Sequence, residues 1–306
     1  MPSSSMERTA VMRKWCLVVT LAAAVALGQT PLLAQKQQQV FISLTSADGK
    51  PVEGLQAGDV SISEDNVNCK ILKVEPIDWS IKLQVLVDNG RANTNPINPL
   101  RDGLTQLFEQ MPEGVEMSMY TIAGTPRPIV KPTTDKQKLI SGIGLIAADG
   151  GAGMFFDALV EAADRINKDK TPGFPVILLV GSDFGRIRVL DQEYAKLQNI
   201  IQDKGVTTHI IVTGGSGGTT GAGTQTEIGL NLTKLSGGRY ESLQAANRLA
   251  TLLPEIGKKI AASQARQAHQ YRVTYERPAN PSPTPSIGAS VKREGVVQLS
   301  LRGNLP

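Results

Sequence analysis

The chain opens and closes with segments in which apolar and polar residues alternate. Residues 39–45, 59–64 and 67–75 repeat with a period of two, which predicts three half-buried strands. Turn signals follow the first two strands, at Asp48-Gly49 and at Glu64-Asp65-Asn66. Three short strands cannot enclose a core of their own, so this segment needs a partner from elsewhere in the chain.

Between residues 80 and 263, apolar strands alternate with amphipathic helices. Strands are predicted at 81–88, 116–123, 128–131, 174–180, 206–213 and 239–241, and helices at 99–111, 153–166, 190–204, 231–236 and 245–264. The strands at 174–180 and 206–213 are apolar almost throughout, as is typical of strands covered on both faces. This pattern predicts an α/β fold with a doubly wound, mostly parallel, Rossmann-like sheet.

Strand patterns return at 269–275, 287–292 and 296–301, and a proline-rich loop separates the first two. We expect these three strands to pack with the three N-terminal strands as a small β-sandwich. The chain would leave this β unit, form the α/β domain and then come back.

The N-terminus has the features of an export signal. Arg13 and Lys14 precede an apolar run of 13 residues, 15–27, which suits a signal peptide and is short for a membrane span of about 20 residues. Cleavage is expected after Gly28 or Ala34; an uncleaved anchor is the alternative. The sequence thus predicts a secreted or periplasmic protein without a membrane span after cleavage.

The predicted organisation has four parts. They are a signal peptide at 1–34, a β segment at 35–78, the α/β domain at 79–264 and a second β segment at 265–306 that packs with the first.

Composition narrows the possible functions. The net charge is only +4 and aromatic residues make up 4%, so nucleic acid is a poor candidate partner. Two cysteines and two histidines do not supply the spacing of a zinc site. Cys16 would leave with the signal peptide, and Cys69 is expected to be a buried structural thiol that forms no intrachain disulfide.

Acidic residues lie at the ends of two predicted strands: Asp88 ends the strand 81–88, and Asp183 follows the strand 174–180 by three residues. Open α/β sheets bind ligands at the carboxyl ends of their strands, so we expect these two loops to meet, with the loop 149–153 beside them. Carboxylate, hydroxyl and water oxygens around one point would suit Mg²⁺.

The order of several motifs resembles the von Willebrand factor type A (VWA) domain, and more closely the bacterial exported VWFA-related proteins. Residues 46–60 read Ser-Ala-Asp-Gly-Lys-Pro-Val-Glu-Gly-Leu-Gln-Ala-Gly-Asp-Val, followed by Glu-Asp-Asn at 64–66. Ser-Gly-Gly-Arg-Tyr at 236–240 and Gln-Tyr-Arg-Val-Thr-Tyr at 270–275 also match that group. The resemblance covers residues 38–303 and implies a protein-binding module.

The family's metal-ion-dependent adhesion site consists of Asp-x-Ser-x-Ser, a threonine from a second loop and an aspartate from a third. The resemblance places Asp88 at the first aspartate and Asp183, preceded by Ser182, at the third-loop acid. Gly90 and Ala92 fall at the serines, and Gly153 falls at the threonine.

Three hydroxyl ligands are therefore missing from that pattern, which implies a degenerate metal site. Asp88 and Asp183 remain as candidate Mg²⁺ ligands, and Asn89 could add an oxygen. Alternatively, the two carboxylates survive only to order loops by accepting backbone N–H groups.

Three functions stay open at this point. The first is a non-enzymatic, exported binding or scaffold module without a cofactor, which recognises a protein partner through the loops that carry Asp88, Asn89, Gly90, Gly153, Ser182 and Asp183. The second is a Mg²⁺-dependent adhesion module. The third is a hydrolase that uses Asp88 and Asp183 as an acid/base pair.

The remaining motifs favour ordinary roles. The glycine-rich run 214–223 lacks the lysine of a phosphate-binding loop and is expected to be a flexible surface insertion. His209 lies inside a buried strand pattern and His269 at the start of another strand, where packing or solvent exposure is expected rather than catalysis.

Overall fold

A computed structural model of the chain describes residues 37–48, 50–90, 97–183, 187, 189–214, 222–267, 270–282 and 285–303. The predicted signal peptide, His269, Ala92 and most of the glycine-rich run lie outside these residues. No helix in the described part of the chain is both long enough and apolar enough to cross a membrane.

The central sheet has six strands in the order β6-β5-β4-β7-β8-β9. The strands are β4 (Ile81–Val87), β5 (Glu116–Thr121), β6 (Arg127–Thr133), β7 (Phe174–Ser182), β8 (Thr207–Thr213) and β9 (Tyr240–Leu243). All neighbours pair in parallel except β5 and β6, which pair antiparallel. The edge strand β6 contains Pro128 and Pro132, which suits an edge because proline cannot donate a ladder hydrogen bond.

Helices cover both faces of this sheet. They are α1 (Ile97–Glu109), α2 (Lys136–Ile143), α3 (Phe155–Lys168), α4 (Asp191–Asp203), α5 (Ala222–Ser236) and α6 (Leu249–Gln267). Successive strand side chains point to opposite faces. Val85 and Val87 therefore pack in the cluster with α1, α2 and α6, while Leu86 packs with α3, α4 and α5. The doubly wound arrangement predicted from the sequence is confirmed.

A second sheet is built from both ends of the described chain. Its strands are β1 (Gln37–Ser46), β2 (Val60–Glu64), β3 (Val67–Ile77), β10 (Gln270–Glu276), β11 (Ile287–Val291) and β12 (Val296–Gly303). They pair antiparallel in the order β11-β2-β3-β10-β1-β12. The N- and C-terminal strands interleave, as expected, because β10 lies between β3 and β1. Neither terminal segment can form this sheet without the other.

The β2–β3 hairpin turns through two residues with positive φ, Asp65 at 49° and Asn66 at 66°. Such a turn matches the twist of the flanking strands. Beside it, Glu64 is 2% exposed and accepts hydrogen bonds from Tyr275 Oη at 2.7 Å and from Arg277 Nε at 2.9 Å. A buried carboxylate needs such partners, and here they join β2 to the end of β10.

Aromatic rings connect the two sheets. The Trp79 ring lies 5.6 Å from the Phe41 ring of β1 and 5.5 Å from the Phe174 ring of β7, measured between centroids. The Ile81 amide, at the start of β4, donates to Gln264 Oε1 of α6 at 2.7 Å. The junction at the N-terminal ends of β4 and β7 is therefore packed and hydrogen-bonded.

Three details differ from the predictions. Helix α5 begins at Ala222, well before the expected 231, because Ile228 and Leu232 are buried and hold the segment on the sheet despite its weak pattern. Ala222 and Gly223, which close the predicted insertion 214–223, therefore belong to this helix. Cys69 is half-buried rather than buried, and it packs at the edge of the apolar core of the second sheet.

Candidate functional site

The two acidic strand ends lie on neighbouring parallel strands. Val87 of β4 is in register with Val180 of β7. Asp88 follows β4, Ser182 ends β7 and Asp183 follows it. The Asp88 amide donates to Val180 O at 2.8 Å, which continues the ladder past the end of β4. This edge of the sheet, with its loops, is called the top face below.

Asp88 lies inside the top face and not on it, since it is only 2% exposed. Its Oδ1 accepts from the Gly90 amide at 2.8 Å. Its Oδ2 accepts from the Ser182 hydroxyl at 2.6 Å and from the Ser182 amide at 3.2 Å. Burial raises the pKa of Asp88, and the hydrogen bonds from Ser182 and Gly90 oppose that rise.

Glycine at position 153 leaves just enough room for this carboxylate. A Cβ atom at Gly153 would lie 2.3 Å from Asp88 Oδ2 and 2.5 Å from Asp88 Cγ. A Cβ at Gly90 would lie 2.7 Å from Gly151 O and 2.9 Å from Asp88 Oδ1. Serine or threonine at either position could not be accommodated unless Asp88 or the loop moved.

Asn89 ties together the loops around Asp88. Its Nδ2 donates to Ala147 O at 2.7 Å, and its Oδ1 accepts from the Ala123 amide at 3.3 Å. Its backbone oxygen accepts from the Asp149 amide at 2.8 Å. The side-chain oxygen proposed as an extra metal ligand is therefore hydrogen-bonded to the backbone.

Asp183 is half-buried beside β8. Its amide donates to Thr213 O at 3.0 Å. A Cβ at Gly214, which follows β8, would lie 3.5 Å from Asp183 Oδ2. Ser182 is 4% exposed and directs its hydroxyl at Asp88. The structure thus places Ser182 with Asp88, Gly90 and Gly153, and places Asp183 against the β8 end.

Asp149 has a structural role that the sequence did not single out. Its Oδ1 accepts from the Gly151 amide at 2.8 Å, which closes a turn within the loop 149–153. The Gly124 amide then bonds Ala152 O at 3.0 Å, and the Met154 amide bonds Ile122 O at 2.8 Å. The aspartate two residues before a glycine was the available signal, since aspartate often bonds the backbone two residues on.

In the described part of the top face, the oxygen donors do not fit a magnesium shell. Within the described residues, no three His, Cys, Asp or Glu side chains come together in a way that could hold a metal ion. Both oxygens of Asp88 accept hydrogen bonds from protein donors, and Gly153 packs against them. Mg²⁺ requires near-ideal octahedral coordination by oxygens about 2.1 Å away. Opening such a space would require Asp88 and the loop at 153 to separate.

Comparison with solved structures identifies the fold. A von Willebrand factor type A protein from Catenulispora acidiphila superposes with a TM-score of 0.50 at 9% identity, over 90% of this chain and 75% of that chain. The fold is that of a VWA protein. This confirms the fold that the sequence resemblance implied.

Two further structures are similar at lower scores. The pilus adhesin SpaC from Lactobacillus rhamnosus GG matches at 11% identity over 84% of this chain and 49% of that chain, with a TM-score of 0.49. BatB from Bacteroides thetaiotaomicron matches at 11% identity over 60% of this chain and 99% of that chain, with a TM-score of 0.44. No family model matches the sequence, and the search of curated proteins gave no match.

Proposed function

We propose that this VWA protein is an exported, non-enzymatic binding or scaffold module that recognises a protein partner through its top face without a metal ion. The observation that carries the proposal is the sealed environment of Asp88. The aspartate that a VWA metal site would use first is buried, accepts hydrogen bonds on both oxygens from Ser182 and Gly90, and packs against Gly153.

The surface above this buried carboxylate consists mostly of backbone and small side chains. Its exposed residues are Gly124, Thr125, Ala147, Ala148, Gly150 and Ala152. These loops are fixed in place by hydrogen bonds that Asn89 and the Gly124 amide donate and that the Asp149 carboxylate accepts. Recognition would therefore depend on loop shape and on exposed peptide groups, which suits a pre-organised protein interface.

The same geometry weakens the hydrolase hypothesis. A catalytic carboxylate has to reach a substrate, and Asp88 is 2% exposed with both oxygens engaged. Asp183 lies beside β8, where its amide donates to Thr213 O and its Oδ2 lies near Gly214.

Calorimetry separates metal-free recognition from a Mg²⁺-dependent adhesion module. Titration of the full chain with Mg²⁺ or Mn²⁺ should give no micromolar binding. Asp183→Ala should leave the titration unchanged, as should the matched control Asp203→Ala, which removes an exposed carboxylate from the end of α4. Micromolar binding that disappears only in Asp183→Ala would refute metal-free recognition.

Partner binding is tested by substituting exposed residues of the top face, which should leave the fold unchanged. The full chain is used as bait on the envelope fraction in the presence of EDTA, beside a variant in which Thr125, Ala147 and Ala152 are changed to lysine. The proposal expects a partner that the wild type retains in EDTA and that the triple variant loses. A bait with lysines at Gln202 and Asp203, both exposed on α4, should retain it. Retention by all baits, or loss in EDTA, would contradict the proposal.

A further inference from the structure

A second candidate site lies at the opposite end of the central sheet. A cavity of about 560 Å³ opens there among the N-terminal ends of β4 and β5, the segment that leads into β7, and the second sheet. Lys82 and Asp88 are six residues apart on one extended strand, so the cavity is about 20 Å from the top face at about 3.3 Å per residue. Cavities of about 300–1,000 Å³ at domain junctions are typical small-molecule sites.

Two arginines line this cavity, and each has a buried nitrogen without a hydrogen-bond acceptor. On Arg165 of α3 this atom is Nη2, and on Arg272 of β10 it is Nε. A buried donor that is left unsatisfied costs about 1–3 kcal/mol, more when it carries charge. Native proteins rarely accept that cost twice in one cavity unless something else supplies the acceptors.

Other contacts hold both guanidinium groups in position. Arg165 Nε donates to Gln84 Oε1 at 2.9 Å, and its guanidinium carbon lies 3.9 Å from the centroid of the Tyr120 ring. Arg272 Nη2 donates to Glu75 Oε2 at 3.0 Å. The unpaired N–H groups are therefore fixed in space, which lowers the entropic cost of binding an acceptor.

The charge around the cavity is positive on balance, with Glu75 paired to Arg272 and Glu161 3.6 Å from Arg165 Nη1. Five of the described residues that line it are basic and two are acidic. One of those acids, Asp169, is already paired with Lys82 at 2.6 Å. Burial would raise the pKa of Asp169, but the hydrogen bonds from Lys82 and Thr171 outweigh burial and lower it to about 2. The remaining lining includes Leu83, Met117 and Ile166. A ligand that fits these walls combines an anionic head with an apolar body.

We propose that this cavity binds a small organic anion, with a carboxylate or phosphate head that accepts hydrogen bonds from Arg165 and Arg272 and an apolar body that packs on the aliphatic and aromatic walls. This site is independent of the partner surface on the top face.

The fluorescence of Trp79 reports ligand binding directly, because Trp79 lines the cavity and its ring centroid lies 6.0 Å from the Arg272 guanidinium carbon. The sequence contains two tryptophans, so the full chain with Trp15→Phe reports from Trp79 alone. The probes are phenyl phosphate, benzoate, inorganic phosphate and the neutral analogue benzyl alcohol. Saturable emission changes are expected with phenyl phosphate or benzoate, and the preferred head group distinguishes phosphate from carboxylate ligands. Binding of benzyl alcohol should be at least tenfold weaker.

Substitutions in the same background test the two arginines. Arg165→Gln and Arg272→Gln should each weaken binding of the better probe at least tenfold, because each removes a charge-assisted hydrogen bond. Arg248→Gln, which removes one positive charge outside the cavity, should change it less than twofold. Thermal melting checks that each variant is folded. If Arg165→Gln does not fold, the binding affinity of Arg272→Gln tests the proposal.

Either of two results would overturn the proposal. The first is no saturable change at millimolar phenyl phosphate and benzoate, which would mean that water alone satisfies the two arginines. The second is equal binding by wild type and a folded Arg272→Gln variant. Neither result would bear on partner binding at the top face.

Discussion

The packing of Gly153 against Asp88 makes a quantitative prediction about stability. Gly153→Ala adds a single methyl group whose carbon would lie 2.3 Å from Asp88 Oδ2. Overpacking a filled site costs about 1–3 kcal/mol. Displacing the carboxylate from Ser182 also weakens a hydrogen bond to a charged group, worth about 1.5–3 kcal/mol. We expect the free energy of unfolding to fall by about 3 kcal/mol.

Gly150→Ala is the matched control, since it lies in the same loop and a Cβ there meets nothing within 4 Å. Neither glycine has a positive φ, so backbone strain does not distinguish them. The control should change stability by less than about 0.5 kcal/mol, as surface substitutions usually do. Urea denaturation followed by circular dichroism measures both variants.

A double-mutant cycle identifies the cause. Asp88→Ala removes the atoms that the new methyl group would strike, so Gly153→Ala should cost at least 1 kcal/mol less in the Asp88→Ala background, in the range of about 0.5–3 kcal/mol found for contacting residues. Additive effects, or a Gly153→Ala variant as stable as Gly150→Ala, would refute the inference that Gly153 seals Asp88.

Three further predictions concern other buried groups. Burial, with smaller contributions from Lys259 and Arg239, lowers the pKa of His209 from 6.5 to about 4, so the unfolded chain binds more protons in this interval. About 3 kcal/mol of stability, present above pH 6.5, should be lost as the pH falls to 4. His209→Gln should remove that loss from the pH dependence of the free energy of unfolding measured in urea. The same pH dependence in wild type and His209→Gln would contradict this prediction. Arg277→Met should cost about 3 kcal/mol at pH 7, because Glu64 stays buried with its charge uncompensated; Arg293→Met, on an exposed side chain, should cost much less in the same assay. Asn66→Gly should leave the melting temperature equal or higher, whereas Asn66→Val should lower it, because φ at this position is 66°. An Asn66→Val variant that melts at the same temperature as Asn66→Gly would refute this.

The fold was predictable because its signals are local and repeated. Strands 174–180 and 206–213 are apolar on both faces, which already implies helices on each side of the sheet. The short alternating segments at both ends implied a shared sheet, since neither could close a core alone. The start of α5 was not predictable, because glycine and threonine at 223–226 have weak helix propensity. That helix depends on tertiary contacts, among them the packing of Gly229 against Tyr240, where a Cβ would lie 2.6 Å from the ring.

The site was predictable only in part. Acidic residues at two strand ends indicated where loops would meet, and the topology places them on neighbouring strands. The cavity at the other end could not be inferred, because Arg165 and Arg272 are more than a hundred residues apart and nothing local marks their convergence. The sequence also could not indicate that Ser182 would be directed at Asp88, since a side chain's direction at a strand end depends on register.

Glycine at positions 90 and 153 removes a candidate metal ligand, and it also lets the neighbouring groups pack closer. Comparison of sequences shows only the first of these effects. In a pattern of metal ligands, each glycine is a missing hydroxyl, which suggests that restoring the side chain would restore the site. In the folded protein, the space of that side chain is already filled, by Gly151 O near position 90 and by the Asp88 carboxylate near position 153. Restoring a ligand would therefore first create a clash, because the loops have closed to the contact distance that glycine allows. A change toward metal binding would need the carboxylate to leave Ser182 and the loop at 153 to move outward together. Our proposal of metal-free recognition rests on that coupling more than on the count of missing ligands.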